Sequence, residues 1–350
     1  MIKPITITLL IFLIISMVGI KYSKAKKNPY TIVIHGGAGT IKKSKLTPEK
    51  EKEYKSLLSF ALKKGKEHIE KGGTAVETVE IVIKILEDSP LFNAGKGSVY
   101  NNVGFQEMDA SIMDGINLDF GAVAGFTNLK NPIEGARIVK DSTKHVFLYG
   151  KRGQDFCMSK GAVYADSSYF YSEHRWKQYQ RALKKDSIEL DHSSDNSKEE
   201  NNKEENNKEI KKFGTVGCVV LDKQGNLAAG TSTGGLTNKK HGRIGDSPII
   251  GAGTYASNKS CAVSCTGRGE YFLRGTIARD IAALIEYKHY SLKKSGKKTM
   301  KKLSNMKGKG GFISVDKKGN YIMMFNTRGM YRAVATDKGE FRVAMYSKDE

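Results

Sequence analysis

Two rhythms of apolar and polar residues alternate along this chain. Val76, Val79, Val82, Ile83 and Leu86 recur at steps of three and four, the spacing of a helix that buries one face. Thr74 with Glu77 makes a capping-box pattern that opens this helix. A preceding helix is capped by Thr47, has Pro48 at its first position and ends at Gly72-Gly73. Another helix starts at Asn131-Pro132 and runs through Arg137 to about Ser142, and one more lies near Arg274–Lys288. Short apolar runs read as strands at Tyr30–Ile34, 216–221, 227–232 and 260–266, with strand-like pieces at Met108–Met113 and Asp119–Phe126. The first strand runs into His35-Gly36-Gly37-Ala38-Gly39-Thr40, where the glycines suit a tight turn, and Pro90–Gly97 reads as a loop. A final β-meander covers 311–316, 320–326, 331–336 and 341–346, with hairpin turns at Asp316–Asn320 and Asp337–Glu340. Strands from both halves with helices between them predict an α+β sandwich of helices layered on sheets.

Two segments break the pattern. From about 184 to 212 the chain is hydrophilic and carries the tandem Lys198-Glu199-Glu200-Asn201-Asn202 and Lys203-Glu204-Glu205-Asn206-Asn207, so a disordered linker is expected. At the other end, Lys3 precedes an apolar run from Ile5 to Ile20, shorter than the roughly 20 residues of a membrane span. Ser23 and Ala25 are small residues suitably placed for a cut after Ala25. Residues 1–25 therefore read as a signal peptide, with an uncleaved N-terminal anchor as the alternative. Both readings export the remainder, to a periplasm or the outside, membrane-anchored if the segment stays. No cysteine ends the apolar run, which argues against a lipoprotein.

Composition narrows the classes. With 350 residues, 39% hydrophobic, the chain can bury one large core or two ordinary ones. Its 58 Lys+Arg against 37 Asp+Glu give a net charge of +21, which raises nucleic-acid binding as a reading. The lysines are spread over helices, the linker and a loop from Lys293 to Lys309. No RNP-like aromatic pattern, finger spacing or arginine-rich helix accompanies them. A solvated basic surface, with no nucleic-acid partner, is the better account. Cys157, Cys218, Cys261 and Cys265 show no zinc spacing. If Cys261 and Cys265 share a strand they stand about 13 Å apart, too far to bridge. Core packing is their expected role.

The most informative residue is Thr215, in Phe213-Gly214-Thr215-Val216-Gly217, between the hydrophilic linker and an apolar strand. A cut before it would create a new N-terminus carrying a nucleophile, the hydroxyl, and a base, the freed α-amine. An α-amine titrates near neutrality, so one residue supplies both roles.

In this company further motifs stand out. Ile34–Gly39, Pro90–Gly97 and Met108–Gly115 resemble the first half of plant-type L-asparaginases, also called isoaspartyl peptidases. Gly214–Gly217, Thr231–Gly235, Gly242–Pro248 and Cys265–Glu270 resemble the second half, in order and at similar spacing, so the likeness spans residues 30–346. Cys218 and Gly230 depart from it, standing where alanine is expected.

The resemblance implies an N-terminal-nucleophile hydrolase with a four-layer αββα sandwich, cut by itself between Gly214 and Thr215. Residues 26–214 would be the α subunit and 215–350 the β subunit of one domain, assembling as (αβ)2. The implied substrates are β-aspartyl (isoaspartyl) dipeptides and L-asparagine. Thr215 would attack the side-chain amide carbon and Thr233 orient its hydroxyl. Thr266 and the Gly267 N–H would stabilise the oxyanion, and Asn93 would support the site. Arg243 would hold the substrate's α-carboxylate with its planar fork and Asp246 the α-ammonium. No cofactor is needed for catalysis. A structural sodium is implied at the backbone carbonyls of Leu86, Glu87, Ser89, Phe92, Ala94 and Lys96. His35, between a strand and glycines, reads as structural, and Glu270 with Arg274 as a structural ion pair. The alternatives are a glycosylasparaginase-like amidase, expected to have aspartate before the threonine, and a membrane-tethered basic binding protein with an uncut chain.

Overall fold

The computed structural model describes residues 28–185 and 214–347. Residues 1–25, expected to be a signal peptide, and the expected linker beyond residue 185 lie outside the described residues. An eight-stranded sheet runs in the order β12 (Phe341–Tyr346), β11 (Gly329–Thr336), β1 (Thr31–Gly39), β5 (Val216–Leu221), β6 (Leu227–Thr233), β2 (Met108–Asp114), β3 (Phe120–Phe126), β4 (Phe147–Tyr149). A four-stranded sheet has the order β10 (Tyr321–Phe325), β9 (Gly310–Asp316), β8 (Cys261–Gly267), β7 (Thr254–Ala256). Among the strand pairings of the described residues, only β3–β4 is parallel.

Side chains alternate between the two faces of a strand, and both faces of the large sheet are apolar. Ile32, Ile34, Val220 and Ala228 pack on one face against Leu58 and Leu62 of α1 (Pro48–Glu70), Val79 and Ile83 of α2 (Ala75–Glu87) and Ile133 of α3 (Pro132–Ser142). Their neighbours Val33, Val219, Leu221 and Ala229 point the other way, toward Val263, Cys265, Phe312 and Ile313 of the small sheet. That double burial makes 216–221 a continuous apolar run rather than an alternating one. Thr47 caps α1, with Pro48 in the first turn, and the Thr74–Glu77 capping box opens α2. Each such cap contributes about 1 kcal/mol. All four cysteines are buried and free.

Several elements differ from expectation. Residues 35–39 form no turn: β1 continues to Gly39 and absorbs the extra residue as an irregularity between His35 and Ala38. The C-terminal strands do not form one meander, because β9–β10 belong to the small sheet and β11–β12 to the large one. The helix expected at Arg274–Lys288 is two: α7 (Gly269–Gly275) and α8 (Ile277–Lys288) are separated by Thr276 in the left-handed conformation, φ 45°. The lysine-rich stretch after residue 293 is no loop but helix α9 (Leu292–Asn305), capped by Ser291. Its inward positions include Ser295, Gly296 and Thr299, so its helical period is invisible to a count of apolar residues. The short α5 (Ser167–Phe170), α4 (Gly150–Ser159) and α6 (Glu173–Lys184) were not anticipated. In α6 the buried face is Arg175, Gln178, Tyr179 and Ala182, again mostly polar.

Candidate active site

Thr215 lies immediately before β5, between two partner strands: Gly217 pairs with His35 of β1, and Val216 with Ser232 of β6. This register brings Thr215 to Thr233 at the end of β6. The Thr215 hydroxyl donates to Thr233 Oγ1 at 3.1 Å, and the same oxygen accepts the Gly235 N–H at 3.1 Å. Both threonines are buried.

Asn93 grips the chain on either side of them. Its backbone N–H donates to the Gly214 carbonyl at 2.9 Å, and its carbonyl accepts the Gly234 N–H at 3.0 Å. Its side-chain amide donates to the Gly235 carbonyl at 2.8 Å, while Oδ1 accepts the Val99 N–H at 3.0 Å. The carbonyl that precedes Thr215 is thus already hydrogen-bonded to a fixed donor, which polarises it toward attack.

His35 sits below Thr215. Nδ1 lies 3.0 Å from the Thr215 carbonyl oxygen and Nε2 lies 3.0 Å from Ser264 Oγ. Burial pushes its pKa down to about 3, so the ring is neutral at physiological pH.

Thr266 belongs to β8 in the facing sheet. Asn258 Oδ1 accepts the Leu227 N–H just before β8 begins, and Thr231 meets Ser264 at 2.7 Å. These two cross-sheet links make β6 and β8 run in the same direction. Thr233 and Thr266, each two residues beyond the second link, therefore emerge at the same end. The Thr266 hydroxyl is buried without a hydrogen-bond partner among the described residues, a donor available to a ligand. Gly267 follows as the last residue of β8.

Arg243 and Asp246 converge on the start of α7. A Cβ placed on Gly269 would stand 2.8 Å from Arg243 Nη2 and 2.9 Å from Asp246 Oδ1, so only glycine lets both approach. Arg243 Nε donates to Glu270 Oε1 at 3.1 Å, and Glu270 Oε2 lies 3.6 Å from Arg268 Nε. Glu270 thus pairs with these arginines rather than with Arg274, which lies over the Tyr271 ring instead. Asp246 is buried, and its Oδ2 has no partner among the described residues. Burial raises its pKa to about 7, opposed in part by the Arg243 charge and reinforced by Glu270 and Asp109. A cation arriving at Oδ2 would satisfy it, and Arg243 keeps part of its fork for an anion.

Leu86 and Glu87 end α2, and Ser89, Phe92, Ala94 and Lys96 follow in the loop. The Leu86 and Ala94 carbonyls accept backbone N–H groups. Those of Ser89, Phe92 and Lys96 accept none among the described residues, which fits the oxygen ligands a hard cation requires.

Sequence reasoning missed Glu270 as the partner of Arg243. It also missed Asp109, a fully buried carboxyl whose Oδ1 accepts the Gly125 N–H at 2.9 Å. Asp109 pairs in register with Thr233, and an acid next to the start of a mostly apolar strand was the available signal.

This mixed α/β architecture, with a buried threonine at the start of a central strand, is of the N-terminal-nucleophile hydrolase type. The match to the asparaginase family covers residues 28–345, and the chain belongs to that family. It is 44% identical over 307 residues to the isoaspartyl peptidase of Salmonella typhimurium, an alignment covering 87% of this chain and 95% of the relative. The isoaspartyl peptidase of Escherichia coli is 43% identical over 303 residues, 86% of this chain and 91% of the relative. The human isoaspartyl peptidase/L-asparaginase is 38% identical over 310 residues, 89% and 94% of the two chains.

Proposed function

We propose that this chain is a self-processing threonine hydrolase that releases L-aspartate from β-aspartyl dipeptides and from L-asparagine. The observation that carries it is the pairing of the Thr215 and Thr233 hydroxyls at 3.1 Å beside a Gly214 carbonyl held by the Asn93 N–H. In the precursor, Thr215 Oγ attacks the Gly214 carbonyl carbon, and the oxyanion forms on the oxygen that Asn93 already contacts. Collapse breaks the Gly214–Thr215 C–N bond, the hydroxyl proton passes to the departing nitrogen to give the free amine, and one water hydrolyses the ester that remains. The products are an α subunit ending at Gly214 and a β subunit of residues 215–350, folded as one domain. The packing of helices on both outer sides of two facing sheets supports a four-layer αββα sandwich.

In the mature enzyme the freed amine takes the hydroxyl proton as Thr215 Oγ attacks the substrate's side-chain carbonyl carbon. Thr266 and the Gly267 N–H donate to the resulting oxyanion, contacts worth about 3–4 kcal/mol of barrier each. The leaving amine, or ammonia from asparagine, departs with the transferred proton, and water then hydrolyses the β-aspartyl ester. Arg243 and Asp246 hold the α-carboxylate and α-ammonium, so the reacting carbon is the one in the β position. The Ser89, Phe92 and Lys96 carbonyls support a structural sodium, and the apolar run at 5–20 supports export. An (αβ)2 assembly completes the proposal. Gly214, rather than aspartate, before the threonine argues against the glycosylasparaginase reading, and membership of a hydrolase family against the binding protein.

The test is aspartate release by purified protein from a β-aspartyl dipeptide and from L-asparagine. Release that Thr215→Ala abolishes is expected. Absence of release from both substrates overturns the proposal.

A further inference from the structure

The described residues include a buried row of polar side chains that the proposed chemistry leaves unused. It starts at the Thr215 carbonyl, 3.0 Å from His35 Nδ1, and passes from His35 Nε2 to Ser264 Oγ at 3.0 Å. It continues from Ser264 to Thr231 Oγ1 at 2.7 Å, from Thr231 to Thr254 Oγ1 at 2.6 Å, and from Thr254 to Ser111 Oγ at 2.8 Å. Ser111 also donates to the Ser247 carbonyl at 2.6 Å, next to Asp246. The row therefore links the nucleophile's own backbone to the carbonyl of the residue after Asp246, passing between the two sheets from β1 through β8, β6 and β7 to β2.

Its direction is dictated by its first member. A carbonyl only accepts, so His35 Nδ1 must carry the ring proton and Nε2 must accept. Ser264 then spends its one proton on Nε2 and accepts from Thr231, which accepts from Thr254. Ser264, Thr231 and Thr254 each give their proton toward His35, in one sense along the row, and Ser111 shares its single proton between Thr254 Oγ1 and the Ser247 carbonyl. Burial keeps the ring neutral, which this order requires.

A second, independent feature points to the same contact. The position a Cβ on Gly217 would take is occupied by Ser264 Oγ and His35 Nε2, both too close for any side chain to fit. The glycine two residues after the nucleophile is therefore the opening through which the imidazole meets Ser264. An ordinary packed histidine would not need that opening, nor a partner with a defined proton direction.

We infer that His35, Ser264 and Thr231 act as positioning residues that pin the Thr215 carbonyl and so aim its hydroxyl at the substrate after the chain is cut. Cleavage releases Thr215 from Gly214, and with it the Asn93 contact that held the preceding carbonyl. What remains of that residue's backbone is tethered by β5 on one side and by His35 through its carbonyl. This rests on the proposed threonine chemistry. A residue left free to swing would keep its substrate affinity, because Arg243 and Asp246 bind independently, but lose rate.

Two measurements test it. In mature wild-type protein carrying 15N-labelled histidine, the His35 nitrogen shifts should show a proton on Nδ1. A proton on Nε2, or on both nitrogens, overturns the relay. In the second, Ser264→Ala and Thr231→Val should fold and self-cleave yet lose kcat by about tenfold, with KM within about twofold. His35→Asn keeps a donor near the Nδ1 position and should retain more kcat than His35→Gln, whose amide reaches toward Ser264 instead. Unchanged kcat in Ser264→Ala, or a Gln variant as active as the Asn variant, contradicts the inference. If the variants do not fold, the tautomer decides alone. Wild-type protein that releases no aspartate sinks the enzymatic reading while leaving the tautomer result standing.

Discussion

The Thr215 hydroxyl donates to the Thr233 hydroxyl oxygen at 3.1 Å, and Thr233 is itself fixed by the Gly235 N–H. In the proposed mechanism this aims the attacking hydroxyl before any substrate arrives. Thr233→Val removes the acceptor at nearly constant volume and should lower kcat by about 100-fold, since misaimed reacting groups cost on that order. Thr233→Ser should recover most of it. Steady-state rates on a β-aspartyl dipeptide check this, and an undiminished Val variant would remove Thr233 from the mechanism.

Asp246, the proposed ammonium anchor, carries a pH signature. Asp246 has its pKa raised to about 7 in the folded protein against an ordinary 3.8, so the native state holds a proton there that the unfolded chain has lost. Its contribution to stability is thus fully present below about pH 4 and is lost as pH rises toward 7, at most about 1.4 kcal/mol per pH unit. Binding an ammonium needs the opposite state. KM for β-aspartyl substrates should rise as pH falls below about 7, and Asp246→Asn should give a high KM that is flat with pH. The same variant should flatten the stability slope in urea melts between pH 4 and 7. A wild-type KM constant from pH 8 to 6 would remove Asp246 from substrate binding.

Arg243→Lys keeps the charge but loses the planar fork, so kcat/KM should fall by about 10- to 100-fold. Self-cleavage should be less affected, because the peptide bond after Gly214 has no free α-carboxylate beside it. Capping the substrate's α-carboxylate as an amide should harm the wild type far more than the Lys variant. Equal wild-type turnover of capped and free substrates would show that Arg243 is not the anchor.

Gly230 stands where the resemblance leads one to expect alanine. A Cβ there would meet Val79 Cγ1 at 2.5 Å and Ile83 Cδ1 at 2.9 Å, so α2 lies closer to β6 than alanine permits. Gly230→Ala should lower stability by about 1–3 kcal/mol, the usual cost of overpacking, with kcat little changed. Chemical melts that find the variant as stable as wild type would contradict this close approach.

How much of this was legible in the sequence depended on whether the burial signal was apolar. Helices α1, α2 and α3 could be read from caps and period because their inward residues are mainly Leu, Val, Ile and Ala. Helices α6 and α9 could not, because they bury Arg175, Gln178, Ser295 and Thr299. The splitting of the C-terminal strands between two sheets is a long-range choice that hairpin chemistry does not encode. Thr215, Thr233, Arg243 and Asp246 were nameable from motifs, whereas the Arg243–Glu270 pairing required the fold. His35 looked like part of a glycine turn, since strand continuation through Gly36-Gly37 depends on pairing with β11.

The central claim is that Thr215 becomes an N-terminus by the protein's own chemistry. Intact-mass analysis and N-terminal sequencing of purified protein test it most directly. Two fragments are predicted, the smaller beginning at Thr215 and running to Glu350, 136 residues, while Thr215→Ala stays a single chain. Active protein whose smaller fragment begins at any other residue, or an active chain that remains uncut, would contradict the account.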